Sequence, residues 1–180
     1  MELVALLKVV VRRLEKLRIP YVLTGGLAVS FWGSSRSTHD IDIVIDAHKE
    51  DQEKILNIFK KDFYISKIAV SDAIERRFTF NIIHFKEGLK VDFWLSKKDS
   101  FRIMEFKRRL KKKIFGKYIY IISPEDLILE KLLWIKESRS DKHMEDIKSI
   151  VEISRPDLNY IKGWAKKTST YDILEEIVNK

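Results

Sequence analysis

The stretch YVLTGGLAVSFWGSSRSTHDIDIVI, residues 21–45, decides how the rest of the chain is read. A short apolar run, 21–24, meets Gly25-Gly26, and Leu27, Ala28, Val29 and Phe31 then carry a brief helical pattern. A polar loop, 33–39, leads into a second apolar segment that bears Asp40 and Asp42. Side chains alternate along a strand, so the two aspartates project together while Ile41, Ile43 and Ile45 face a core. An isolated Asp-x-Asp is usually a solvated strand face. Here the pair stands at the mouth of an otherwise apolar strand, after a glycine turn that opens a helix. Paired carboxylates near a helix N-terminus make a metal-plus-phosphate geometry.

Composition narrows the setting. At 180 residues with 45% hydrophobic content, the chain suits one compact domain, or a catalytic core with a helical appendage. It has no cysteine, which removes disulfide frameworks and thiolate zinc sites. No apolar run approaches the ~20 residues a spanning helix needs. The N-terminal segment reads as an amphipathic helix interspersed with Lys8, Arg12 and Arg13 rather than a secretory signal, so the expected location is the cytoplasm. The net charge of +8 favours anionic partners such as nucleotides or RNA. A salt-bridge-rich surface of thermophile type accounts for the same charge, since Asn and Gln together number five.

Outward from the opening stretch, periodicity sets the remaining elements. Leu3, Leu6, Leu7, Val10, Leu14 and Leu17 predict a helix that Pro20 ends. An amphipathic helix is expected over 48–60, a strand over 63–70 and a turn or short helix over 71–76. Residues 78–85 and 89–95 flank Glu87-Gly88 and read as a hairpin. In its second arm Lys90, Asp92 and Trp94 share one face. Residues 99–113 are expected to be helical, ending in Lys107, Arg108, Arg109, Lys111, Lys112 and Lys113, with Gly116 breaking the helix before a strand over 118–122. Ser123-Pro124-Glu125-Asp126 supplies an N-cap, proline at the first helical position and an acid at the third. Helices follow over 124–137, 141–153, 157–166 and 171–178. The expected organisation is a core over 1–122 and a helical C-terminal region over 123–180 packed on it.

The 21–45 pattern resembles the signature of the DNA polymerase β-like nucleotidyltransferase superfamily: a strand, Gly-Gly or Gly-Ser, then Asp-x-Asp among apolar residues. Thirteen residues lie between Gly26 and Asp40. The segment from Arg36 through Thr38 to Asp40 and Asp42 is similar to small stand-alone members, AbiEii-type toxins among them. A second likeness lies in the tail: Glu125-Asp126-Leu127-Ile128, Lys131, then Arg139, Lys142, Asp146 and Ile147, with His143 where those proteins carry an aspartate. The resemblance implies an α/β (α+β) fold with a mixed, partly antiparallel sheet, flanking helices and a C-terminal helical region. It also implies a cytoplasmic transferase that moves an NMP from an NTP to an acceptor hydroxyl and releases pyrophosphate, using two Mg²⁺ ions, with Mn²⁺ as an alternative.

Under that resemblance Asp40 and Asp42 would bridge both metals, and Asp92 would be the third carboxylate, on the acceptor side. Gly25 and Gly26, lacking side chains, would let backbone N–H groups approach the triphosphate. Arg36, with Ser34 or Ser35, would bind phosphate oxygens, and Lys131 is a candidate for phosphate or acceptor contact. Thr38 is expected to brace the loop, and His39, His48 and His84 have no ligand spacing and read as structural. A P-loop is excluded because no Gly-Lys-Ser/Thr follows the glycines, and Gly-x-Gly-x-x-Gly is absent. The acceptor classes left open are tRNA or other RNA, a protein hydroxyl and a small molecule. The rival reading is a non-catalytic module of the same fold that binds RNA or a partner, as an antitoxin would.

Overall fold

Helix α1 (Leu3–Leu17) sends Leu6, Leu7, Val10, Val11 and Leu14 into the core and stops at Arg18, whose left-handed backbone closes the last turn ahead of Pro20. The chain then runs through strand β1 (Tyr21–Thr24), helix α2 (Gly25–Trp32) and strand β2 (Asp40–Ile45). A 3₁₀ turn leads into α3 (Gln52–Phe59), followed by β3 (Phe63–Ile65), α4 (Lys67–Arg76), β4 (Thr79–His84) and β5 (Lys90–Leu95). Next come α5 (Ser100–Lys107), β6 (Leu110–Ile114) and β7 (Lys117–Ile121). Helices α6 (Pro124–Glu137), α7 (Asp141–Ser154), α8 (Leu158–Lys167) and α9 (Tyr171–Val178) complete the chain. This is a computed structural model, and it describes residues 2–35 and 37–179.

Among the described residues seven strands form one mixed sheet in the order β3-β4-β5-β2-β1-β7-β6. β2 runs parallel to β5 and β1 parallel to β7, and the other neighbours are antiparallel. The expected mixed, partly antiparallel sheet with flanking helices is therefore present. β1 is buried along its whole length, whereas β2 and β5 alternate between buried and half-buried positions. Their buried sides, Ile41, Ile43 and Ile45 with Val91 and Phe93, are fully enclosed. Phe93 meets Phe59 of α3 and Phe80 of β4 at ring distances of 5.7 and 5.1 Å. That aromatic cluster ties α3 to the sheet.

Chain contacts divide the molecule into two units: residues 1–27 with 37–121, and residues 28–36 with 122–180. The first holds the whole sheet. In the second, Ser123 caps α6 by accepting the Asp126 N–H, with proline at the start of the helix. The Trp32 indole donates to the Ile122 carbonyl at 2.8 Å, and the Ser154 hydroxyl donates to the Trp32 carbonyl. Lys131 of α6 donates to Asp146 of α7 at 2.7 Å, both side chains about 5% exposed. No described helix is long and apolar enough to cross a membrane.

Two expected elements change. The strand over 63–70 ends at Ile65, because Ser66 accepts the Ala69 N–H and starts α4. The helix over 99–113 ends at Lys107, and Leu110–Ile114 is an edge strand. The reason is the turn that follows. Phe115 and Gly116 both have positive φ, 49° and 83°, and Ile114 pairs with Lys117 across them. A two-residue turn of that kind matches strand twist and forces its flanks to pair. Lysines on the outer strand also discourage pairing with another chain's edge.

The buried ion pair gives a stability prediction. Lys131→Met leaves the Asp146 carboxylate enclosed without its ammonium partner, and should destabilise the fold by about 3–5 kcal/mol. Urea unfolding of the variant against wild type measures it. A change below about 1 kcal/mol would mean Asp146 finds water or another donor.

Candidate active site

β1 passes into α2 at Gly25, whose φ of +64° lies in the left-handed region open mainly to glycine. Space demands glycine as well: a β-carbon there would sit on the Asp42 carboxylate, 2.5 Å from its Cγ. The antiparallel register sets Thr24, the last residue of β1, opposite Asp42. One carboxylate is thus held directly against the turn that opens a helix.

The parallel register supplies the others. Asp42 pairs with Asp92, Asp40 with Lys90 and Val44 with Trp94. Strands lie about 4.8 Å apart and alternate residues share a face, so Asp40, Asp42 and Asp92 stand together on the half-buried side of the sheet. Sequence alternation anticipated Asp92 on this face. It also put Lys90 and Trp94 there but assigned them nothing, and the structure shows what they do. The Lys90 ammonium donates to Asp92 at 2.8 Å and lies 3.7 Å from Asp40. The Trp94 indole N–H points at Asp42 from 3.4 Å. The hydrogen bond to Asp92 holds the Lys90 ammonium above the usual lysine range; partial burial opposes this, and the charges of Asp92, Asp40 and Asp42 add to it.

Among the described residues no three His, Cys, Asp or Glu side chains close around a common point. The donor chemistry of the three aspartates, carboxylate oxygens, nevertheless suits a hard divalent cation. A positive group, the Lys90 ammonium, already sits against Asp92 and Asp40.

The remaining sequence candidates lie elsewhere. Gly26 follows Gly25 in the first turn of α2. Ser34 and Ser35 are exposed and belong to the second unit. Arg36 falls outside the described residues. Lys131 is in the second unit, with its ammonium on Asp146 and its side chain about 5% exposed. The Thr38 hydroxyl donates to the Asp40 carbonyl at 3.3 Å, a loop brace. His48 lies within hydrogen-bonding distance of Arg77, and buried His84 packs edge-on to Phe63.

Comparison with known proteins agrees with this architecture. No curated protein matches the chain in sequence. Among solved structures, ANT(2")-Ia in complex with adenylyl-2"-tobramycin is similar at TM-score 0.61 and 13% identity, over 92% of this chain and 98% of that one. The lincosamide antibiotic adenylyltransferase LnuA, lincomycin-bound, gives 0.57 and 16%, over 82% and 95%. An antigenic nucleotidyltransferase-like protein from Paracoccidioides brasiliensis gives 0.54 and 22%, over 83% and 73%. At these identities the likeness is one of fold. The sequence model of one family matches residues 1–180, the whole chain, and the protein therefore belongs to the family described as "Nucleotidyltransferase of unknown function (DUF6036)".

Proposed function

We propose that the protein is a metal-dependent nucleotidyltransferase that moves an NMP unit from an NTP to an acceptor hydroxyl. The observation that carries the reading is the in-register pair Asp42 and Asp92, with Gly25 pressed against Asp42. Asp40, Asp42 and Asp92 would hold Mg²⁺ or Mn²⁺, and the bound ions would neutralise charge on the attacking and leaving oxygens. The chain's own groups do the positioning. Gly25 and Gly26, at the start of α2, would let phosphate oxygens approach the helix N-terminus. Asp42 is kept in place by the glycine turn on one side and the Trp94 indole on the other. In the step itself the acceptor oxygen bonds to the α-phosphorus, the bond to the β-phosphate bridging oxygen breaks, and pyrophosphate leaves. The acceptor proton passes to Asp92, the third carboxylate.

Two structurally similar proteins are named for adenylyl products or adenylyl transfer to antibiotics, which puts ATP and small hydroxylated molecules first in a trial panel. The resemblance to AbiEii-type toxins adds tRNA, other RNA and protein hydroxyls, and a toxin–antitoxin setting. By the same resemblance Ser34, Ser35, Arg36 and Lys131 are proposed phosphate or acceptor contacts. A non-catalytic module of the same fold is the rival, and turnover separates the two.

Incubation with each α-labelled NTP, Mg²⁺ and total cell RNA, protein or aminoglycosides should give labelled product with wild type. Asp42→Asn and Asp92→Asn should each lower transfer by at least about 10²–10³, the scale of losing one preorganised charge-stabilising group, with unfolding midpoints unchanged. Undiminished transfer in either variant removes that carboxylate from the site. Nucleotide binding without product from any acceptor selects the binding-module reading.

Gly25→Ala tests the turn separately. The left-handed backbone alone should cost about 1–2 kcal/mol in stability, and the added methyl must push Asp42 aside. Transfer should therefore fall much further than stability does. Equal activity in a variant that melts only a few degrees lower would show that Asp42 tolerates displacement.

A further inference from the structure

We infer that Lys90 is a built-in counter-ion occupying the cation position of this site, so that a divalent metal enters only by displacing its ammonium. The inference rests on the metal site proposed above and concerns a residue outside the carboxylate set. Lys90 stands opposite Asp40 in the parallel register and two residues before Asp92, so all three share one face. Its Nζ is 2.8 Å from the Asp92 Oδ2 and 3.7 Å from the Asp40 Oδ2. Carboxylates on one strand face repel one another, and an ammonium within 2.8 Å of Asp92 and 3.7 Å of Asp40 relieves part of that repulsion. A divalent ion would relieve more, but the two cations cannot share the same oxygens.

The ammonium has a way out. The Lys90 side chain is 37% exposed, in contrast to the enclosed Lys131 on Asp146, and its four-carbon stem is flexible. A triphosphate arriving with its metal would offer the displaced ammonium new anionic oxygens. Metal alone would meet the competitor, whereas metal with nucleotide would re-house it. The site is thereby biased toward binding the two together, with Lys90 acting as a positioning residue.

Mn²⁺ binding to nucleotide-free protein, followed by the spin-resonance signal of the free ion, tests this without turnover. Lys90→Met and Lys90→Gln should bind Mn²⁺ about tenfold more tightly than wild type, the worth of one charge-assisted hydrogen bond. Lys90→Arg, which keeps the charge, should bind like wild type, and Asp42→Asn added to Lys90→Met should abolish the gain. Unchanged or weaker binding in both Lys90→Met and Lys90→Gln overturns the inference. Tightened Mn²⁺ binding alongside no NMP transfer by wild type would refute the transferase reading and leave the role of Lys90 standing.

A different part of the sheet unit carries a second inference independently of that site. A groove of about 580 Å³ is lined by Lys8, Arg12 and Glu15 of α1 and by Lys111, Gly116, Lys117 and Tyr118 of the β6–β7 hairpin. Its one carboxylate, Glu15, is paired with Lys117 at 2.7 Å, so no lining carboxylate answers the charges of Lys8, Arg12 and Lys111. Tyr118 is 59% exposed and Phe115, at the hairpin tip, 53%. The Lys111 ammonium lies over the Tyr118 ring at 5.9 Å from its centroid, and cations beside an exposed aromatic in this way fit a single-stranded polyanion, whose bases can compete for the ring. We propose that the groove binds the phosphodiester backbone of single-stranded RNA.

Anisotropy of a labelled RNA oligonucleotide across a salt series tests it. Arg12→Gln with Lys111→Gln, both at exposed positions, should lower the slope of log affinity against log salt by about 1.4 units, the single-strand value for two lost phosphate contacts. Tyr118→Ala should weaken binding about tenfold at every salt concentration, as the loss of one stacked base would. An unchanged slope overturns the proposal. Equally tight binding of polyglutamate does so too, since carboxylates would then serve as well as phosphodiesters.

Discussion

The contact on which the carboxylate face of the sheet depends is the approach of the Gly25 backbone to the Asp42 carboxylate. With no room for a β-carbon, the turn from β1 into α2 and the carboxylate on β2 fix one another. The antiparallel pairing of Thr24 with Asp42 brings them together, and the left-handed turn then carries the chain away at once. From that point the parallel β2–β5 register decides everything else on the face. A shift of one residue would turn Asp92 into the core and bring Val91 or Phe93 out beside Asp42. The enclosed aromatic cluster around Phe93 opposes such a slip, so packing on one side of the sheet holds the carboxylates in place on the other.

The two units treat lysine–aspartate pairs differently. Lys131 and Asp146 are sealed between α6 and α7, where each charge needs the other and neither can leave cheaply. Lys90 and Asp92 make an equally short contact, 2.8 Å against 2.7 Å, yet at a half-open face with a second carboxylate in reach. Solvent screens that pair and lowers the barrier to exchanging its partner. The same chemical couple is a structural tie in one setting and an exchangeable occupant in the other.

Much of this was legible in the residues because alternation is a strong signal. Ile41, Ile43 and Ile45 against Asp40 and Asp42, and Val91 and Phe93 against Lys90, Asp92 and Trp94, assign faces without any structure. The Ser123-Pro124 start of α6 is equally explicit. What pattern alone could not supply was register between distant strands: nothing in the sequence says that Asp40 faces Lys90, so the lysine's partner went unseen. The basic run was misread because lysine and arginine sit comfortably in helices, while the deciding feature, the paired turn at Phe115 and Gly116, lies after it. Lys131 read as a candidate for phosphate or acceptor contact, and its burial on Asp146 could not be foreseen, since tertiary packing leaves no mark on a charged helix position.

The Asp42–Asp92 pairing has a consequence for how the protein comes into being. The partners are fifty positions apart in the chain, joined through a 3₁₀ turn, the helices α3 and α4 and the strands β3 and β4. Contacts of that separation bear the entropy of closing a long loop before they return any stabilisation. During synthesis β1, α2 and β2 are complete while β5 has yet to be made. Until it arrives, β2 offers a bare edge with two charged side chains at its mouth, which is poor material for pairing with another chain. The aspartates thus guard the central strand through the interval in which it has no neighbour on that side.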